Sequence, residues 1–217
     1  MNYELIKKLY GVEKLTGCDN SDIEKLKNIY GSIPKELEGF YRQAAKTEQL
    51  NQVQDTWIFP GNIEKNKWIH KPPYSDYLIL MNENQGVFQL VIKKEDLAKD
   101  NPPVYVFDES DNTLNICADT LTDFLMGMLL YQSVFYMSYS PEEFFWYSDQ
   151  EMNIIKNSLN KLPYKLQNWY SDCIEFYSNA SDNMLYIMSD DNQGTFGAMS
   201  KESYEKIYAV IGELGES

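Results

Sequence analysis

The chain has 217 residues, 43% of them hydrophobic and 24% charged, with a formal net charge of −14. That is globular composition, sized for one large domain or two small ones. The acidity argues against nucleic acid, whose phosphates need Lys and Arg to displace counterions, and against an anionic membrane surface.

In chain order, the start reads as helical. Leu5, Ile6, Leu9 and Tyr10 form one apolar stripe. Ser21 with Glu24 has the pattern of a capping box, and Ile23, Leu26, Ile29 and Tyr30 follow at helical spacing until Gly31. A Pro-led helix, IPKELEGFYRQAA, turns Ile33, Leu37, Phe40 and Tyr41 toward a core. The period then changes. TWIFP reads as a short strand, NIEKNKW as a helical turn and KPPY as a loop. DYLILM and VFQLVI read as a β-hairpin around NENQG, where Gly86 can take a positive φ. A helical turn and loop, KKEDLAKDNPP, lead to the strands VYVF and TLNI.

Thr120, with Asp123 three residues on, caps a helix whose broad apolar face holds Leu121, Phe124, Leu125, Met128 and Leu129. Beyond Pro141 the pattern predicts helix in EEFFWYSDQEM and NIIKNSLNKL, and a second Pro-led helix in LPYKLQNWY. The strands CIEFY, MLYIM and TFGAM follow, then a closing helix capped by Ser200.

Charge is uneven along the chain. Residues 1–108 carry 14 Lys and Arg against 16 Asp and Glu, and residues 109–217 carry 5 against 17. Such asymmetry points to an interaction surface. Aromatics reach 14%, led by 17 Tyr, a residue that serves cores and interfaces alike. Cys18, Cys117 and Cys173 are odd in number and form no CxxC unit, so reduced thiols in a cytoplasmic protein are expected. The N-terminus lacks the apolar stretch of a signal peptide, and no segment approaches the roughly 20 apolar residues of a membrane span.

Two elements recur. Asn84-Gln85-Gly86-x-Phe88 returns as Asn192-Gln193-Gly194-x-Phe196, and Ile33-Pro34-Lys35-Glu36-Leu37 is echoed by Leu162-Pro163-Tyr164-Lys165-Leu166. A partial duplication accounts for both, against the alternative of convergent turn chemistry.

The order IPKELEGFY, WIFP, YLILMNENQGVFQLVIKKEDL, DNPPVYVFD and ADTLTDFL, over about residues 20–135, resembles the SUKH superfamily. That group holds bacterial toxin-immunity proteins and a fungal regulator of cell-wall assembly. The resemblance implies an α+β fold with a twisted, mostly antiparallel sheet packed on helices. It also implies a non-catalytic role, the stoichiometric binding of a cognate toxin. The expected division is an immunity-type domain over residues 1–138 and an acidic extension over 139–217 that partly repeats it.

A basic toxin would be steered by an acidic face. The residues expected to form that face are Asp172, Glu175, Asp182, Asp190 and Asp191, with Trp169 and Tyr170 as aromatic anchors. Catalytic signatures are missing from the sequence. The single His70 sits beside Lys71-Pro72-Pro73, there is no GxSxG, P-loop or paired-His spacing, and adjacent carboxylates such as Glu142-Glu143 and Asp190-Asp191 seldom converge on one substrate, since adjacent residues of a strand face opposite ways. No enzyme activity, metal or cofactor is expected. A peptide- or small-molecule-binding module on the same fold, which would have a concave aromatic pocket, stands as the alternative. So does a carboxylate hydrolase, which would face two carboxyl groups across a cleft.

Overall fold

A computed structural model describes residues 1–51, 53–61 and 74–215. The expected turn NIEKNKW, the residues Lys71 to Pro73 and His70 lie outside them. The protein is α+β. Its helices are α1 (Tyr3–Leu9), α2 (Asn20–Tyr30), α3 (Lys35–Gln43), α4 (Leu121–Tyr136), α5 (Asp149–Ser158) and α6 (Lys201–Ile211). One antiparallel sheet joins β1 (Thr56–Trp57), β2 (Tyr77–Asn82), β3 (Phe88–Lys93), β4 (Val104–Asp108) and β5 (Thr113–Ala118) in that order. The other holds β6 (Phe145–Trp146), β7 (Asn160–Gln167), β8 (Cys173–Ser178), β9 (Asn183–Met188) and β10 (Gln193–Ala198), ordered β6-β10-β9-β8-β7.

The chain divides into two compact units. The internal unit is Lys14–Phe124, and the split unit combines Met1–Glu13 with Leu125–Ser217. The boundary falls after Phe124, inside α4, whereas residues 138 and 139 both lie within the split unit. Counted by unit, the charge asymmetry nearly vanishes. The internal unit has 12 Lys and Arg against 18 Asp and Glu, the split unit 7 against 15, so the nets are −6 and −8.

In the internal unit the helical stripes are buried as the spacing predicts, with Ile23, Leu26, Leu37, Phe40 and Tyr41 inside. Phe40 packs 5.6 Å from Trp57, which meets Phe124 at 6.1 Å. The start of α2 differs from expectation. The helix begins at Asn20 with Asp19 at its cap and no side-chain cap bond, while the Asp19 carboxylate pairs with Lys46 at 2.6 Å. The β2–β3 hairpin is closed by Glu83, whose carboxylate accepts from the backbone N–H groups of Gln85 (2.9 Å) and Val87 (3.1 Å). Gly86 sits between them at φ 75°, a conformation that costs a residue with a Cβ.

In the split unit the second sheet is covered on both faces. Period-2 alternation sends Leu185, Ile187, Tyr177 and Phe196 to one face, against Met152 and Ile155 of α5 and Ile207 and Ile211 of α6. Fully burying one such side chain stabilises by roughly 1.5–3 kcal/mol. Tyr186 points the other way, 5.0 Å from Tyr131 and 5.9 Å from Phe135 of α4. Gly127 lets α4 approach β7 closely, since a Cβ there would come within 2.9 Å of Leu166. α1 joins the same face of the unit, with the Tyr10 hydroxyl donating to the Leu129 carbonyl at 2.8 Å.

Two expectations for this unit fail. LPYKLQ is not a helix but most of edge strand β7, where the pairing register shifts between Lys161 and Lys165, around Pro163. Proline cannot donate to a ladder, and an irregular edge flanked by lysines is where a strand tolerates it. EEFFWY is likewise not helical. Phe145 and Trp146 pair with β10, and α5 starts only after Ser148, which forms a full capping box with Glu151.

The structure repeats, but in another register than the sequence echo proposed. Asn84-Gln85-Gly86 is the turn itself, whereas Gln193 and Gly194 already lie in β10, and the second Pro-led motif is strand instead of helix. The matching segments are β4-turn-β5-helix and β9-turn-β10-helix. β5 begins at Thr113 and β10 at Gln193, α4 at Leu121 and α6 at Lys201, a displacement of 80 residues each, and β4 and β9 begin 79 apart, at Val104 and Asn183. Both turns pass through an asparagine, Asn112 and Asn192, each at φ 52°. Both helices are capped by a hydroxyl, Thr120 accepting from the Asp123 N–H at 3.1 Å and Ser200 from the Ser203 N–H at 3.2 Å.

Candidate functional site

The seven residues expected to bind a partner all lie in the split unit, but they do not form one surface. Trp169 is completely buried and packs 4.7 Å from Tyr170, so it supports the site from beneath and cannot anchor a partner directly. Tyr170 is 41% exposed. It holds φ at 58° in the β7–β8 turn, where Asn168 has φ 54°. A bulky residue in the left-handed region is strained by about 1–3 kcal/mol, and such strain collects at functional positions.

Asp172 and Asp190 come together beside Tyr170. The Asp190 carboxylate accepts from the Ser171 hydroxyl (2.9 Å) and from the Asp172 N–H (2.8 Å), so it braces the β7–β8 turn against the β9–β10 turn. Asp191 lies next in that turn and accepts from the Gln193 N–H at 3.1 Å. The Asp172 carboxylate is exposed and takes no hydrogen bond or ion pair among the described residues.

The remaining two serve other purposes. Asp182 accepts from both Ser200 (2.9 Å) and Ser203, fastening the β8–β9 turn to the start of α6. Glu175 is half-buried on β8, ion-paired with Lys161 and accepting from the Tyr177 hydroxyl at 2.6 Å. Burial pushes its carboxyl upward, and the bonds from Lys161 and Tyr177 outweigh that, leaving it below the ordinary range.

The fold supplies residues that sequence reasoning passed over. Tyr170 stacks 6.2 Å from Tyr131, which meets Phe135 at 5.2 Å. Phe135 is 37% exposed and borders a small hollow shared with Phe144, Pro141, Glu142 and Glu143. The result is an aromatic run from Tyr170 to Phe144 with carboxylates at each end, Asp172 and Asp190 at one and Glu142 and Glu143 at the other. Phe135 was hidden in the sequence because α4 is apolar on every side, and periodicity cannot single out its one exposed position.

No protein-family model matches the chain, and a search of curated proteins finds no significant match. Among the described residues no group of three His, Cys, Asp or Glu side chains converges as a metal site would require. None of the described helices is long and apolar enough to cross a membrane.

The internal unit carries a different feature, a hollow of about 530 Å³ lined by Cys18, Ala45, Lys46, Thr56, Trp57 and Phe59. The Lys46 amine at its rim is held by Asp19 and Asp22, and burial pushes the Cys18 thiol up to about 11, so it is a protonated, unreactive wall at neutral pH.

Proposed function

We propose that this chain is an immunity-type protein of the SUKH kind, which binds and neutralises a cognate toxin, a basic nuclease-type effector, by one-to-one protein–protein interaction without catalysis or cofactor. The observation that carries the reading is the set of exposed aromatics Tyr170, Phe135 and Phe144, the first two joined through buried Tyr131, with the carboxylate of Asp172 at one end and those of Glu142 and Glu143 at the other, all unpaired among the described residues. Rigid aromatic side chains give large contact area at low entropic cost, and a rim of like charge selects and steers an oppositely charged partner. The α+β architecture agrees with what the sequence resemblance implies. Binding in the cytoplasm of the producing cell belongs to the same proposal.

The test uses the purified chain as bait in a lysate of the source organism, followed by kinetics on the captured protein. The expected result is a basic protein whose toxic activity is blocked at equimolar ratio. Its association should slow about tenfold on Asp172→Lys with Asp191→Lys, and also on raising salt. Asp190 is left intact because its bonds hold the two turns. A partner that associates at the same rate with the charge-reversed chain would refute the acidic-face reading.

The second reading, a small-molecule-binding module, is favoured by the hollow of about 530 Å³ between Trp57, Phe59 and Ala45. Native mass spectrometry of the freshly purified chain tests it. A retained small molecule, released by Trp57→Ala, would favour this module over the toxin-binding role.

A further inference from the structure

The hollow at the end of the aromatic run has a composition that selects its occupant. Its volume is about 150 Å³, and it is lined by Val134 and Phe135 from the last turn of α4, by the segment Ser140 to Phe144, and by Thr195 of β10. Two walls are aromatic, Phe135 and Phe144, each left more than a third exposed. Two are acidic, Glu142 and Glu143, whose carboxylates take no hydrogen bond or ion pair among the described residues.

The segment that carries them is tied down on both sides. Tyr139 and Ala198 exchange both backbone hydrogen bonds, at 3.1 and 2.8 Å, and the Thr195 hydroxyl donates to the Glu143 carbonyl at 3.4 Å. The hollow is therefore formed before anything binds, which keeps the ordering cost of an occupant low.

An apolar side chain would cover the rings and strip water from two unpaired carboxylates. A compact ammonium would meet the carboxylates but is strongly hydrated and gains little from ring faces. A guanidinium does both, because it is planar, weakly hydrated, stacks on aromatic rings and presents forked donors to carboxylates. We infer that this pocket receives an arginine side chain of the partner protein. The inference rests on the partner-binding reading above and adds to it the chemistry of one contact.

The experiment titrates the full chain, labelled with ¹⁵N, with three peptides, Ac-Gly-Arg-Gly-NH₂ and its lysine and citrulline counterparts. The arginine peptide should shift the amides of Phe135, Glu142, Glu143, Phe144 and Thr195, with half-saturation of order 1–10 mM, as expected for a single side chain. The lysine peptide should bind several-fold more weakly, and the uncharged citrulline peptide not at all. Glu142→Gln with Glu143→Gln should weaken the arginine peptide about tenfold while leaving the rest of the spectrum in place. Equal binding of citrulline, shifts centred elsewhere, or no shift at all would overturn the inference. The two readings fail separately. Arginine-peptide binding without capture of any basic protein would remove the toxin-binding role and leave the guanidinium pocket standing. A basic partner held equally well by the double glutamine variant and by Phe144→Ala would remove the pocket and leave the role.

Discussion

The internal and split units use the same device, a four-stranded antiparallel meander running into a hydroxyl-capped helix, yet among the described residues the exposed aromatic side chains all lie in the split unit. The difference lies in how each sheet is edged and covered. In the internal unit the extra strand β1 adds beside β2, at the start of the meander. In the split unit the extra strand β6 adds beside β10, at its end, and the segment leading into it is the one that carries Glu142, Glu143 and Phe144. In the split unit the attachment of β6 beside β10 places the loop that lines the candidate hollow.

The largest expected effect that would break this comparison is at Trp169. Removing its fully buried ring by Trp169→Ala should cost about 3–5 kcal/mol, read by urea denaturation, with the loss confined to the split unit. Hydrogen exchange resolves the two units, and equal loss of protection in β2–β5 would show that they do not behave as separate compact bodies. Next come the paired turn asparagines. Asn112→Ala and Asn192→Ala should each cost about 1 kcal/mol, because alanine is less tolerant of a left-handed backbone than asparagine, whereas glycine at either position should be close to neutral. Unequal costs at the two sites would argue against a structural repeat displaced by 80 residues.

A smaller effect separates the helices. Ser148→Ala should cost about 1 kcal/mol through loss of the α5 capping box, a device α3 lacks at Pro34. Its pH dependence has a defined sign. The Ser148 side-chain bond, the Gly215 N–H and the Ser148 N–H hold the Glu151 carboxyl below its ordinary 4.5. Its contribution is therefore present above 4.5 and lost as the pH falls through the depressed value. Thermal melts of the wild type and the variant should converge as the pH is lowered through that range. The smallest effect is Lys161→Ala, which opens a partly exposed ion pair with Glu175 and should change stability by less than about 1 kcal/mol.

How much was legible in the sequence follows the range of the forces involved. The stripes Ile23–Leu26 and Leu37–Phe40–Tyr41, the hairpin around Gly86 and the caps Thr120 and Ser200 were all readable, because each depends on neighbours within a few residues. The sequence alone predicts a helix for LPYKLQ, because a proline near the start of an apolar run looks the same before a helix as on an edge strand. Only the pairing with β8 and the approach of Leu166 to Gly127 distinguish them. The candidate site is the least legible. Of the seven residues expected in it, the structure brings Asp172, close to Tyr170 in sequence, together with Asp190, buries Trp169, and engages Glu175 and Asp182 in pairs elsewhere in the unit.

By itself, then, the sequence determined the class of the protein: α+β, acidic, built of antiparallel hairpins and capped helices. These follow from local hydrogen bonding, backbone preference and the two hydrophobic periods. Tertiary structure alone decided which register of the repeat is real, how the negative charge is shared between the units, and which aromatics remain at the surface. Those outcomes depend on which residues distant in the chain exclude water from one another, and a buried ring and an exposed one have the same letter in the sequence.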